Sequence, residues 1–233
     1  MNMTRLALII CVFLFNCTDS STLSAQTHLL VKSQIGDAWQ TTPFTFSAGR
    51  SNDITHFGCS VELFRQLNRR LAIGVAPGFM RRGTSYETGF INGLVIGPRF
   101  QSSLHLNYLQ LPFYLKATFP LYRKLGFLGQ TGLGYSYLMG GFREVTTIAF
   151  IQTPLQHLEL DFSERDEELN RFALGWHSSL GLSFEVGKGQ LVLTYDYYLG
   201  FVYVDQKNDS ANRNWGIGLG YQFQISADPK ARE

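Results

Sequence analysis

The chain has 233 residues with 20 Lys and Arg against 18 Asp and Glu, a formal net charge of +2, with 14% aromatics, 23 glycines and only 16% charged residues. That near balance excludes the basic stripe that nucleic-acid binding requires, and the length suits one domain. Three cysteines are present, of which Cys11 and Cys17 fall in the N-terminal segment. Cys59 alone is left for the remainder, which excludes an internal disulfide there and paired-cysteine metal sites.

The N-terminus carries Arg5 and then the apolar run Leu6 to Phe15. About ten residues are too few to span a bilayer as a helix. A basic start, a short apolar centre and the exit Leu23-Ser24-Ala25 are the pattern of a signal peptide covering 1–25, cleaved before Gln26. The rival reading, lipid attachment at Cys17, has Asn16 where a small residue is wanted. No later stretch supplies 18 consecutive apolar residues, so transmembrane helices are not expected. The segment 26–223 reads instead as strands, followed by a polar tail over 224–233.

The first strand lies between Leu29 and Phe46, its register unclear. Two weaker strands run from Phe57 to Phe64 and from Leu71 to Met80. Then Leu109, Leu111, Phe113 and Leu115 alternate with Tyr108, Gln110, Pro112, Tyr114 and Lys116. From Phe127 to Met139 large residues face Gln130, Gly132, Gly134 and Ser136. Phe172 to Val186 sets Leu174, Trp176 and Leu180 against Gly175, His177, Ser179, Gly181 and Glu185. Leu191 to Leu199 alternates with Val192, Thr194, Asp196 and Tyr198. The clearest strand is Trp215 to Phe223, whose one face is Trp, Ile, Leu, Tyr, Phe and whose other is Gly, Gly, Gly, Gln. A soluble sandwich strand would show polar side chains to water. A nearly bare face fits the interior of a narrow barrel, where little room is left.

This is an all-β reading, an antiparallel up-and-down transmembrane barrel of about eight strands. Val145 to Ile151 and Leu155 to Phe162 either project as a hairpin beyond the membrane or raise the count to ten. The links support the barrel. Tight ones at Asn68-Arg69-Arg70, Leu121 to Lys124 and Gly187-Lys188-Gly189 alternate with long polar ones at Ser47 to His56, Arg82 to Leu104, Gly140 to Arg171 and Tyr203 to Asn214. Outer-membrane barrels sort their connections in this way, with short periplasmic turns, long outer loops and periplasmic termini. Trp176, Tyr197, Trp215, Tyr221 and Phe223 are the expected interfacial aromatics. Pro77 and Pro112, inside strands, are read as bulges.

The run Leu106-Asn107-Tyr108-Leu109-Gln110-Leu111-Pro112-Phe113-Tyr114-Leu115-Lys116 resembles the NYLxxPxxLK strand of the PorT-like outer-membrane barrels of Bacteroidetes. Gly132-Leu133-Gly134-Tyr135, Gly181 to Gly187 and the closing Gly216 to Phe223 fall in the same order. The resemblance implies an outer-membrane location, about eight strands and a family place for Pro112. It implies little about activity. Such barrels often end on an aromatic, whereas this chain continues from Gln224 to Glu233.

Chemistry-bearing residues are sparse. Glu62, Lys116, Glu185 and Asp196 are expected to face the lumen as an internal charge network, since buried charges must pair. An ion path or a catalytic acid pair is the alternative. His177, Ser179 and Glu185 share a face, and His177 with Ser179 is the pair worth testing as a base and nucleophile, as in a lipid-modifying barrel enzyme. Strand residues two apart lie roughly 7 Å apart, however, long for a direct bond. His56, His105 and His157 are assigned to three different outer loops, with no metal site among them. Arg69, Arg70, Arg81 and Arg82 are expected to mark the membrane rims, and the acidic run Glu164 to Glu168 a solvated loop. No cofactor is called for. Expected partners are outer-membrane lipid and a protein bound through the outer loops, with no nucleic acid. A small diffusion channel is a third reading, and it needs a wider barrel.

Overall fold

The computed structural model describes residues 26–41, 50–52, 54–92, 95–148, 156–159, 170–202 and 211–225. The segment 1–25 expected to be a signal peptide, the acidic run and residues 226–233 of the expected tail lie outside the described residues, whereas Gln224 belongs to a strand. Eleven strands appear in chain order: β1 (Thr27–Thr41), β2 (Arg50–Asn52), β3 (Ile54–Gln66), β4 (Leu71–Val75), β5 (Gly78–Asn92), β6 (Val95–Tyr122), β7 (Leu125–Ile148), β8 (Gln156–Glu159), β9 (Phe172–Val186), β10 (Gly189–Gly200) and β11 (Ala211–Gln224). β1 pairs with β3 on one side and β11 on the other, so the sheet closes. Eight wall positions result, because β4 and β5 share one of them, each lying between β3 and β6. All pairings are antiparallel. Among the described residues β2 pairs only with Ser85–Glu87 of β5, and β8 only with Phe142–Val145 of β7. The second apolar pair of segments therefore adds no wall strand, and the count is eight rather than ten.

The register fixes the geometry of the barrel. Starting at Leu29, direct partners run through Leu63, Val75, Phe113, Leu133, Trp176, Leu199 and Arg213, and return to β1 at Trp39. One circuit climbs ten residues. With eight strands, a rise of about 3.3 Å per residue and a strand spacing of about 4.8 Å, that stagger tilts the strands by about 40°.

Period two runs along most of the wall, although on β5 the residues Arg82 to Ser85 are all buried. On β11 the even positions Asn212 to Gln222 are buried and the odd positions from Ile217 onward are exposed. Exposed large apolar residues such as Ile35, Val61, Leu133, Leu180, Leu193 and Leu219 form the outer surface. The glycine face points inward because larger residues would not fit. A Cβ at Gly218 would collide with Thr194 Oγ1 and sit 2.7 Å from Asp196 Oδ2 and 3.1 Å from Lys32 Cδ. Gly218→Leu is therefore expected to cost about 1–3 kcal/mol by overpacking, seen as a lower urea midpoint in lipid vesicles. The outward Ile217→Leu should leave the midpoint in place, and equal midpoints for both variants would contradict the inward assignment.

The prolines are not bulges. Register runs unbroken through Pro77, with Leu63 opposite Val75 and Ser60 opposite Gly78, and through Pro112, opposite Gly134. Both residues still accept through their carbonyls, Pro77 from Val61 N and Pro112 from Ala76 N, each at 3.0 Å. What is missing is two donors at adjoining ladder positions, and this accounts for the break between β4 and β5. The register shifts towards the long links lie instead on β5, between Gly89 and Ile91, and on β7, where Asn107 faces Gly140 and Tyr108 faces Leu138, leaving Met139 unpaired.

The tight turns fall at 67–70, 123–124 and 187–188, where they were expected. The long links are shorter than expected, because β3, β5, β6, β7 and β11 run on into them. Polar composition there marks the absence of a greasy outer face and not the end of a strand.

Candidate functional site

Among the described residues, charged groups converge in the barrel interior. Lys32, supplied by β1, places Nζ 3.0 Å from Glu62 Oε1 of β3 and 3.0 Å from Asp196 Oδ1 of β10. Tyr114 Oη donates to Glu62 Oε2 at 2.8 Å, and Gln130 Nε2 donates to the same oxygen at 3.2 Å. Thr194 Oγ1 donates to Asp196 Oδ2 at 2.8 Å. All six residues are buried. Each carboxylate thus has the cation on one oxygen and neutral donors on the other, the satisfaction that buried ions require.

Of the four residues expected in a lumen network, Glu62 and Asp196 meet through Lys32. Lys116 lies nearby and is buried, but it donates to Gln222 Oε1 at 2.9 Å and sits 3.9 Å over the Phe64 ring. Glu185 has the inward parity but is exposed at the end of β9. It lines a cleft of about 230 Å³ with His28, Lys188 and Gln190 at the end of the barrel that holds the tight turns. Lys32 was missed because the register of β1 was unreadable.

A second cation lies farther along the lumen. Arg82, expected at a rim, is fully buried on β5. Its guanidinium carbon is 3.8 Å from the Tyr198 ring centroid and 5.3 Å from that of Tyr108, and Nη2 donates to Gln110 Oε1 at 3.0 Å. His56 is also buried, on β3, and His105 and His157 belong to β6 and β8. The assignment of these three histidines to loops is therefore corrected. No group of three His, Cys, Asp or Glu able to hold a metal occurs among the described residues.

Apolar layers lie on either side of the charges. Leu30, Phe64, Ala72, Leu128 and Val192 cluster towards the tight turns, and Leu104, Leu106, Tyr108 and Leu138 towards the long links. Between them a cavity of about 40 Å³ is lined by Lys32, Glu62, Gln130, His177, Ser179 and Asp196, among others. That is room for a few water molecules. His177 Nε2 and Ser179 Oγ are both buried and neither has a hydrogen-bond partner, so the two are not bonded to each other. A nucleophile needs a base in hydrogen-bond reach, and this pair lacks that arrangement.

Outside, the aromatics expected at the interfaces all have outward parity. Tyr221 and Phe223 stand near the tight-turn end, with Trp176, Tyr197 and Trp215 towards the other. Two of the polar tips are hydrogen-bonded. Trp176 Nε1 donates to Thr131 Oγ1 at 2.9 Å and Tyr221 Oη to the Val186 carbonyl at 3.0 Å. Trp215 and Phe223 are eight residues apart, about 26 Å along the strand and about 20 Å in depth at the tilt above, close to the apolar band of an outer-membrane barrel.

Residues 44–206 match the family model described as outer membrane protein beta-barrel domain. The chain belongs to that family. Its location in the bacterial outer membrane follows from the membership. No curated protein matches the sequence. Among solved structures the barrel is similar to OprG of Pseudomonas aeruginosa, with TM-score 0.46 and 8% identity over 87% of this chain and 97% of that one. It is also similar to Neisserial surface protein A, with 0.43 and 10% over 84% and 97%. Ail of Yersinia pestis gives 0.40 and 11% over 86% and 100%. In this outer-membrane barrel the described interior is packed around the charges, with the cavity of about 40 Å³ beside them and the cleft of about 230 Å³ at the tight-turn end.

Proposed function

We propose that this outer-membrane barrel is a non-conducting, non-catalytic protein of the PorT-like kind found in Bacteroidetes, with periplasmic termini, which acts through its outer strands and loops on a protein partner or on envelope integrity. The observation that carries the reading is the filled lumen. The Lys32, Glu62 and Asp196 cluster crosses it between two apolar layers, and about 40 Å³ is left open beside the charges. Barrels of about eight strands have interiors just wide enough for side chains to fill. The PorT-like assignment is supported by the Asn107-Tyr108-Leu109 run and by Pro112, which sits in register in the middle of β6. The orientation is supported by the three tight turns lying at the same end as Thr27 and Gln224.

Purified protein in planar bilayers is expected to give no steady conductance steps. Reproducible steps, retained after removal of contaminating porins, would overturn the reading in favour of a diffusion channel. The proposed outer role is tested by capture. Surface-exposed protein should retain a partner from envelope extracts, and deletion of the 149–155 and 160–169 segments should abolish that retention while heat-modifiable gel migration persists.

A further inference from the structure

One outward-facing cation is held unlike the others. Arg81 stands on β5 where the outer face changes character. Phe79 and Leu109 lie on its membrane side. Beyond it Ser103 and Gln101 donate to Ser85 Oγ at 3.0 and 3.3 Å. The Arg81 guanidinium carbon lies 5.0 Å from the Phe57 ring centroid and 5.4 Å from that of Phe142. Its Nε donates to Asn107 Oδ1 at 3.1 Å. Two rings and one amide therefore set the guanidinium in place.

No carboxylate among the described residues forms an ion pair with it. Glu144, on the same outer surface, is 3.7 Å from His105 Nε2, and the His105 ring stacks on Phe142 at 4.6 Å. A half-buried cation, held by aromatic faces at a polarity boundary and given no counter-charge by the described residues, suits an anion supplied by the surroundings. Arginine's planar fork matches phosphate oxygens well.

We propose that Arg81, with Phe57, Phe142 and Asn107, forms a binding site for a phosphate group on a glycolipid of the outer leaflet. The guanidinium meets the phosphate, and Phe57 packs against the lipid below it. The proposal rests on the periplasmic placement of the termini, which puts Arg81 at the outer rim. Arg70, whose guanidinium carbon lies 5.9 Å from the Phe119 ring centroid, then marks the inner rim.

The test titrates detergent-purified protein with lipopolysaccharide, with phosphatase-treated lipopolysaccharide and with inorganic phosphate, using the wild type, Arg81→Gln, Arg81→Lys and Arg70→Gln. Gel migration before and after boiling checks that each variant is folded. Arg81→Gln is expected to bind intact lipopolysaccharide about tenfold more weakly than wild type. Arg81→Lys should fall between them and Arg70→Gln should match wild type. Wild type should bind the dephosphorylated form no better than Arg81→Gln binds the intact one. If Arg81→Gln and Arg70→Gln both bind as wild type, the site is wrong and the orientation stands. Loss in Arg70→Gln alone overturns the orientation and the site with it. Competition by inorganic phosphate at concentrations comparable to the lipid would make this a soluble-anion site and overturn the lipid assignment.

Discussion

Lys32→Met is expected to destabilise the barrel by about 3–5 kcal/mol, the cost of breaking a buried ion cluster by removing one partner. Among the described residues Lys32 Nζ alone joins Glu62 to Asp196, at 3.0 Å on each side. Without it two carboxylates face each other in a space that admits little water, with Tyr114, Gln130 and Thr194 as their remaining donors. The triple variant Lys32→Met, Glu62→Gln, Asp196→Asn removes the charges together and leaves amide oxygens to accept the bonds from Tyr114, Gln130 and Thr194. It should recover most of the loss, because replacing a whole buried ionic set is often close to neutral. Urea unfolding of protein refolded into vesicles, followed by gel migration without boiling, reads both variants. A wild-type midpoint for Lys32→Met alone would show that the cluster contributes nothing to stability.

The same cluster shows how far the sequence could be read. Lys116 and Asp196 take the lumen face because their strands alternate cleanly, Glu62 takes it on a weaker strand, and a parity once fixed carries every residue with it. β1 gave no such handle. Leu29, Leu30 and Val31 are consecutive apolar residues that satisfy either parity, so Lys32 had no assigned face and the centre of the network was missed. Arg82 and His56 were lost for a related reason. Beyond the membrane band both faces of a strand are polar, and polarity alone was taken for a loop. The strand register does continue there, with Met80, Arg82 and Thr84 paired to Tyr108, Leu106 and Leu104 and buried, together with Gly83 and Ser85. Extending the alternation past the last greasy residue would have placed both side chains inside. The prolines misled in the opposite direction. A missing donor was equated with an inserted residue, whereas two aligned omissions interrupt hydrogen bonding and leave register intact.

Leu219→Arg is expected to cost about 2–4 kcal/mol, and Phe223→Arg only about 0–1 kcal/mol, although both positions lie on the same outward row of β11. The difference comes from depth. Leu219 is 54% exposed and lies midway between Trp215 and Phe223, where a guanidinium has neither water nor phosphate within reach. Phe223 pairs with Gly189 beside the 187–188 turn, where an arginine can extend to the headgroups. Measured in vesicles, the two costs report the position of the apolar band directly, without reference to the loops or to any partner. Equal costs would mean that the band is not centred on Leu219. A neutral Leu219→Arg would mean that this face does not meet hydrocarbon at all, and that outcome would remove the physical basis for reading the bare glycine face as the interior of a membrane barrel.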